Sequence, residues 1–328
     1  MNFNELFKGF QQLKVAVIGD VMLDTYMWGS VERISPEAPV PVVSLKKKEY
    51  RIGGASNVAL NTVALDAQTF VFSIIGNDDD GTALLQLLQQ SNINTDGIIK
   101  ANNRITTNKI RVIARNQHMM RLDAEITHDI DAVLENELLA KIELFFTTNK
   151  PDLVIFEDYN KGVLTTTLIE KVIALCKQYN IITTVDPKRK NFFAFKGVDI
   201  FKPNLKEVKE ALNVLIDTVD LKSLQQIHQQ LKEVLEHHIS LITLSEKGVF
   251  YHTETTANII PTHVRSIADV SGAGDTVIAV ASLVYAATND IHLSAEIANI
   301  AGGLVCEEVG TVAINKEKLL AETKMLLQ

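Results

Sequence analysis

Short apolar runs alternate with helix-length patterns along most of this chain. K-V-A-V-I (14–18) precedes a helix that opens at G-G-A-S-N-V-A-L (53–60), and strand 69–75 precedes helix 82–90. Helix 130–147 leads to D-L-V-I-F (152–156), helix 165–179 leads to I-I-T-T-V-D-P-K (181–188), and helix 219–237 leads to strands 239–244 and 248–252. Continuous apolar strands are buried on both faces, and parallel neighbours need helical crossovers. The pattern therefore predicts an α/β body, a mostly parallel central sheet covered by helices on both sides. A last helix is predicted over 292–307. No repeat, low-complexity tract or linker interrupts the series, so 1–328 reads as one domain.

Two stretches break the alternation. Residues 30–51 contain S-P-E-A-P-V-P-V, whose prolines at 36, 39 and 41 exclude helix and demote the segment to an edge strand or extended loop. Residues 104–123 are β-branched and alternate in T-N-K-I-R-V-I-A, the texture of a hairpin with one polar face. Together, segments of about 25–50 and 100–123 predict a small β-sheet lid. Lys109, Arg111, Arg115 and Arg121 make that lid a basic island. The two-residue period puts Lys109 and Arg111 on one face, with Arg115 or Arg121 joining from the return strand. A solvated strand face has this sequence, and so does an arm that receives a phosphorylated substrate.

The island matters because the chain as a whole is acidic, with 40 Asp and Glu against 32 Lys and Arg. That balance argues against nucleic-acid or anionic-membrane surfaces. No apolar run is long enough to span a bilayer. The N-terminus lacks a basic region and an apolar core, so a cytoplasmic location is expected. The two cysteines, Cys176 and Cys306, sit in apolar helical patterns without metal spacing and read as buried thiols.

Chemistry concentrates at strand ends and one turn. D-V-S-G-A-G-D (269–275) runs straight into T-V-I-A-V-A-S-L-V-Y-A-A, a buried helix by length and composition. Small residues at a helix N-terminus aim several N–H groups at one spot, an anion site. Asp275 lies on the same first turn, where a carboxylate can accept a proton from a hydroxyl while the cradle stabilises a transferred phosphoryl group. A Gly-rich turn capped by Asp275 has the same sequence. Asp20 and Asp24 follow the first strand, Asn57 sits on the first turn after Gly53 and Gly54, and Asp186 and Lys188 end a later strand. Asn204 and Glu207 are one helical turn apart, an amide and a carboxylate suited to a hydrated Mg²⁺.

G-G-A-S-N (53–57) early and D-V-S-G-A-G-D late resemble the two signatures of the ribokinase-like (PfkB) carbohydrate kinases, and the likeness covers nearly the whole chain. A finer likeness lies in G-D-V-M-L-D, R-I-S-P-E-A-P-V-P-V, K-I-R-V-I-A-R-N-Q-H-M-M-R-L-D, D-Y-N-K-G and D-P-K, which look like the heptose 7-phosphate kinases of ADP-heptose synthesis. The resemblance implies a Rossmann-like three-layer body with a β lid, ATP and Mg²⁺, a sugar-phosphate substrate, and a homodimer paired through the lid. It implies Asp275 as base and Gly272, Ala273 and Gly274 as anion hole. Asp20, Asp24, Gly53, Gly54 and Asn57 match sugar-binding positions, with Asp158 and Lys161 lining the site and Lys109 and Arg111 toward the substrate. Asn204 and Glu207 match the family's magnesium motif. Ser245, Lys247 and Gly248 match a nucleotide loop, and Asn299 a position beside adenine. Asp269 and Gly310 fall where relatives bind a monovalent cation such as K⁺.

Asp66 stands where the first signature has Gly or Ser, and Ser271 replaces a more usual Thr while keeping the hydroxyl. The chain stops soon after the kinase module, so a separate nucleotidyltransferase is expected. The alternatives are another substrate of the same family, such as fructose 1-phosphate or an unphosphorylated sugar, and a non-catalytic sugar-phosphate sensor. A sensor would be expected to lose Asp275, Asn204 or Glu207.

Overall fold

The computed structural model describes residues 2–115, 117–216, 218–263 and 265–327. Helix α1 (Phe3–Gly9) leads into strand β1 (Lys14–Gly19). Two long strands, β2 (Val21–Ile34) and β3 (Pro41–Gly54), leave the body and return to α2 (Ala55–Ala64), β4 (Gln68–Gly76), α3 (Asp79–Gln90) and β5 (Asn94–Ala101). The hairpin β6 (Asn108–Ala114) and β7 (Gln117–Ala124) follows. Alternation then resumes with α4 (Ala132–Asn149), β8 (Leu153–Glu157), α5 (Thr166–Tyr179), β9 (Ile182–Asp186), the short β10 (Ile200–Phe201), α6 (Leu205–Leu212), α7 (Leu221–Leu235) and β11 (Ile239–Thr243). The chain ends with β12 (Val249–His252), β13 (Ala257–Ile260), α8 (Ala273–Thr288), α9 (Ile291–Val305) and α10 (Lys316–Leu327).

The large sheet runs β13-β12-β11-β10-β9-β8-β1-β4-β5, parallel from β11 to β5 with an antiparallel edge at β12 and β13. It separates two apolar cores. Val15 and Val17 of β1 face one core while Ala16 and Ile18 face the other, all at 0% exposure, as a strand covered on both sides requires. Strand order reverses between β1 and β8, which places the crevice where open α/β sheets bind ligands at these two carboxyl ends. Close approach is obligatory there, since a Cβ on Gly19 would lie 2.0 Å from the Glu157 carbonyl oxygen.

The lid is a second sheet, order β3-β2-β6-β7, with β2 and β6 parallel and the outer pairs antiparallel. The proline-rich segment feeds its edge strand β3, as expected. Register puts Asp24, Arg51 and Lys109 in one row across the sheet, and Tyr26, Glu49, Arg111 and Arg121 in the next. Alternate residues share a face, so the charged side chains of both rows point the same way. Arg121 thus joins from the return strand; Arg115 instead turns at φ 51° and donates to the Val31 carbonyl.

Two expectations need correction. The helix over 292–307 is not the last, because α10 follows and packs on α1 and α9; its weakly amphipathic sequence hides it. Cys306 is half-buried rather than buried, since it caps α9 instead of facing its core. Asp66 adopts φ 69°, the left-handed region glycine enters freely, and its carboxylate meets Lys316.

Beneath β11, His228 and His237 are 2% and 0% exposed and share the Ser240 hydroxyl at 2.9 and 2.7 Å. Burial, then neighbouring positive charge, lowers His228 to about 4 and His237 to about 3. The unfolded chain takes up these protons near pH 6.5 and the native state does not, so their contribution to stability is lost as pH falls from 6.5 toward 4. His237→Gln removes about 2 kcal/mol of the stability change between pH 6.5 and 5. Urea unfolding of both proteins at the two pH values checks this. Equal pH slopes would mean that His237 is solvated or already charged.

Candidate active site

Asp275 sits on the first turn of α8, 5% exposed. The Asn57 amide, on the first turn of α2, donates to its Oδ2 at 2.8 Å, and the Tyr159 hydroxyl, from the loop after β8, donates to Oδ1 at 2.7 Å. Burial raises the carboxyl to about 6 against the pull of these two hydrogen bonds. It is therefore a base at neutral pH, and a stronger one than an exposed aspartate. Gly272 turns into the helix at φ 79°, and a Cβ there would lie 2.8 Å from the Asn57 amide nitrogen and 2.9 Å from Thr311. Only glycine lets the 272–274 turn close against α2.

Two further acids crowd the same point. One oxygen each of Glu157, Asp186 and Asp275 lies within 4.8 Å of the others. Asp186 carries the positive side of the balance: Lys202, 2% exposed, meets its Oδ2 at 2.8 Å, and Lys188 meets its Oδ1 at 3.1 Å. Burial would push Asp186 up, but these two ammonium groups outweigh it and hold it low. Glu157 pairs with neither lysine, and their charges, felt only from a distance, do not outweigh its burial. It is fully buried, neither oxygen has a hydrogen-bond partner among the described residues, and burial with Asp186 and Asp275 beside it drives it well up. Protonation of Glu157 would spare the site a third buried negative charge. Lys188 and Lys109 also flank the Tyr159 ring, 5.6 and 5.5 Å from its centroid.

Among the residues expected to meet a sugar, Asp24 pairs with Arg111 at 2.6 Å and accepts from the Thr311 hydroxyl at 3.4 Å. Gly53 packs against the Asp24 carboxylate and Gly54 against the Asp20 carbonyl. Asp20, expected among the sugar contacts, is engaged with the protein. It is 1% exposed, and its two oxygens accept from the backbone N–H groups of Tyr159, Lys161 and Val163 at 2.9–3.0 Å. Those bonds pin the 158–163 loop over the sheet and occupy three of the carboxylate's roughly four acceptor positions. Asp158 is buried and held by Asn160 and Asn191; burial, then Asp20, raises it to about 7. Lys161 turns to Glu125 at 2.8 Å.

The expected nucleotide residues gather at the other end of the sheet. Asn204 bridges to Thr243 at the end of β11, and Ser245–Lys247 turn directly after. Gly248 backs onto the Ile260 carbonyl, and the Asn299 amide donates to the next carbonyl, Pro261, at 2.8 Å. Asn204 and Glu207 form a reciprocal capping box, and the second Glu207 oxygen meets Lys188 at 2.8 Å. Asp269 accepts from the Ser271 N–H and hydroxyl and from the Gly310 N–H, which brings those two positions together.

In sequence Asp186 and Lys188 stand at a strand end with nothing to link them to Asp275, and Glu157, Tyr159 and Lys202 are not among the expected site groups. Strand-end position was the available signal for Glu157 and Tyr159. Lys202 lies in an ordinary K-P-N string, and only the adjacency of β9 and β10 shows its use.

The pfkB family carbohydrate kinase model matches residues 12–318. The bifunctional protein HldE of Sulfurimonas denitrificans is 40% identical over 92% of this chain and 62% of its own length. HldE of Aliarcobacter butzleri is 40% identical over 93% of this chain and 63% of its own. The chain thus spans less than two thirds of the curated relatives it matches. Among solved structures, phosphofructokinase-2 from Escherichia coli in complex with potassium superposes with a TM-score of 0.77 at 15% identity, covering 95% of this chain and 99% of that one. Arabidopsis thaliana ribokinase complexed with ribose and ATP gives 0.73 at 16%, covering 94% and 98%. No described helix is long and apolar enough to cross a membrane.

Proposed function

Because the chain belongs to the pfkB family of carbohydrate kinases, we propose that it transfers the γ-phosphoryl group of ATP to the anomeric hydroxyl of D-glycero-D-manno-heptose 7-phosphate, giving the 1,7-bisphosphate for ADP-heptose synthesis. The observation that carries the reaction is Asp275, a buried carboxylate of raised basicity held by Asn57 and Tyr159 one step beyond the Gly272–Gly274 turn. The 40% identity to HldE proteins supports the choice of sugar.

In this reading Asp275 accepts the proton of the attacking hydroxyl while the Gly272–Gly274 N–H groups and the α8 dipole stabilise charge on the transferred phosphoryl group. Asp24, Gly53, Gly54 and Asn57 orient the sugar, and the basic face of the lid balances its phosphate. ATP is assigned to the side of Ser245, Lys247, Gly248 and Asn299, of which Gly248 and Asn299 meet along Ile260–Pro261. The hard oxygen donors here suit Mg²⁺, which would be held through water by Glu207 beside Asn204 and would neutralise charge on the nucleotide phosphates. The Asp269–Gly310 loop is proposed for a monovalent cation, by analogy with the potassium-bound phosphofructokinase-2 of the same fold. Met120 and Leu122, 56% and 49% exposed on the lid face opposite Arg111, support pairing of two lids in a homodimer.

ADP release across a panel of sugars and sugar phosphates tests the assignment. Heptose 7-phosphate is expected to give the highest kcat/KM; a higher value for fructose 1-phosphate or an unphosphorylated sugar would overturn it. Glu207→Gln is expected to raise the Mg²⁺ concentration for half-maximal rate, because an anionic group near the hydrated metal becomes neutral. An unchanged Mg²⁺ titration would reduce Glu207 to a partner in the capping box.

A further inference from the structure

Glu157 ends β8 on the face of the sheet that α8 covers. The two-residue period that sends Leu153 and Ile155 into the core beneath α8 sends Glu157 the same way. Asp186 follows Thr184, whose hydroxyl meets Ser282 of α8 at 2.8 Å, and Lys202 follows Ile200 of the same core. Glu157 and Asp186 are paired in register. The backbone there is fixed on both sides: the Glu157 carbonyl accepts from the Asp20 N–H and the Asp186 carbonyl from the Asp158 N–H, each at 3.2 Å. The Glu157 carboxyl is thus held under α8, buried, with neither oxygen hydrogen-bonded among the described residues.

Charged and titratable groups face it from every neighbouring element. Asp275 comes from α8, Asp186 and Lys188 from β9 and the turn after it, Lys202 from the end of β10, and Tyr159 from the loop that Glu157 itself opens. Both lysines are committed to Asp186, and Asp275 must stay ionised to accept a proton. An oxygen of Glu157 lies within 4.8 Å of an Asp275 oxygen. At an effective dielectric of about 20, two unit charges that close change an equilibrium by roughly two orders of magnitude. We propose that Glu157 is a positioning residue for phosphoryl transfer: the site works while Glu157 carries a proton, and its ionisation slows the reaction by setting an unpaired negative charge beside Asp275 and the group in transfer. The proposal rests on the kinase reading with Asp275 as base, and deepens it. No bond to substrate forms at Glu157, and the proton it holds is not the one taken from the sugar. Burial, then Asp186 and Asp275, favours that protonated form.

Infrared spectra and a pH–rate profile test it together. At about pH 8 the wild-type protein is expected to show the carbonyl stretch of a buried carboxylic acid. The band is assigned by its loss in Glu157→Gln, because Asp158 titrates near 7 and contributes a similar one. As the pH rises further, the band is expected to disappear and wild-type kcat to fall about ten- to hundredfold over the same range. Glu157→Gln keeps the size of the side chain and cannot ionise, so its profile is expected to lack that alkaline fall. A fall that persists in the variant would belong to another group, such as Lys109, whose ammonium burial disfavours, and would overturn the proposal. A kcat that stays level while the band disappears would overturn it too. So would a wild-type spectrum without any carboxylic-acid band at that pH, a result that needs no variant to fold. Wild-type turnover in Asp275→Asn is a different failure, since it removes the base on which the kinase reading stands.

Discussion

Asp275→Asn is expected to lower turnover by about 10²–10⁴, the usual worth of a positioned general base, while KM for ATP stays close to wild type. The same substitution is expected to stabilise the protein at neutral pH. Asp275 titrates near 6 in the folded chain against 3.8 as a free side chain. A raised carboxyl pKa means that the native state holds more protons than the unfolded chain between those values. Its stabilising contribution is therefore complete below pH 3.8 and lost as pH rises through 6. At pH 7 the ionised carboxylate costs roughly 2–3 kcal/mol, which the neutral amide relieves. The amide also keeps both neighbours, since its oxygen can accept from Asn57 and its NH₂ can donate to the Tyr159 hydroxyl. Two measurements decide the matter: kcat, and urea unfolding at pH 7. In wild type, kcat should fall as pH drops through about 6 while the base takes up its proton. Wild-type turnover in folded Asp275→Asn would remove Asp275 from the mechanism, and a less stable variant would mean that the carboxylate is better solvated than its burial indicates.

Asp20→Ala is expected to cost about 3–4 kcal/mol of stability. It strips the acceptors from three backbone N–H groups, those of Tyr159, Lys161 and Val163, each worth roughly 1–3 kcal/mol when left unpaired. Removal of a carboxylate that burial already disfavours offsets part of the loss. Turnover should fall about tenfold as well, because the freed loop carries the Tyr159 hydroxyl that orients Asp275. KM for sugar should change little. The opposite result, wild-type stability with a large rise in sugar KM, would restore Asp20 to the sugar contacts expected from its position after the first strand. Asp20→Asn, which retains one acceptor oxygen, should fall between the two on the stability scale.

The contrast between Asp20 and Asp24 shows where legibility ends. Both acids follow β1 in G-D-V-M-L-D, and nothing local tells them apart. What separates them is the loop after β8, more than 130 residues away, whose N–H groups occupy one carboxylate and leave the other to Arg111. The Asn204/Glu207 pair has the same character. Spacing puts both on one helix turn, but the turn uses them first to cap itself, and Glu207 reaches Lys188 with the oxygen that remains.

The α/β body, the lid, its basic face and the turn that carries Asp275 are all legible in the chain's local patterns. Each of these is written in a local pattern: continuous apolar runs for doubly covered strands, a two-residue period for the lid, and small residues ahead of an apolar helix. Strand order was not local. A parallel sheet sets side by side strands far apart in the chain, and here β1, β8, β9 and β10 become neighbours. That adjacency alone brings Glu157, Tyr159, Asp186 and Lys202 up to Asp275. These contacts arise only on folding, because the energy of a charge or a donor depends on which partners and how much water surround it, and folding supplies those neighbours.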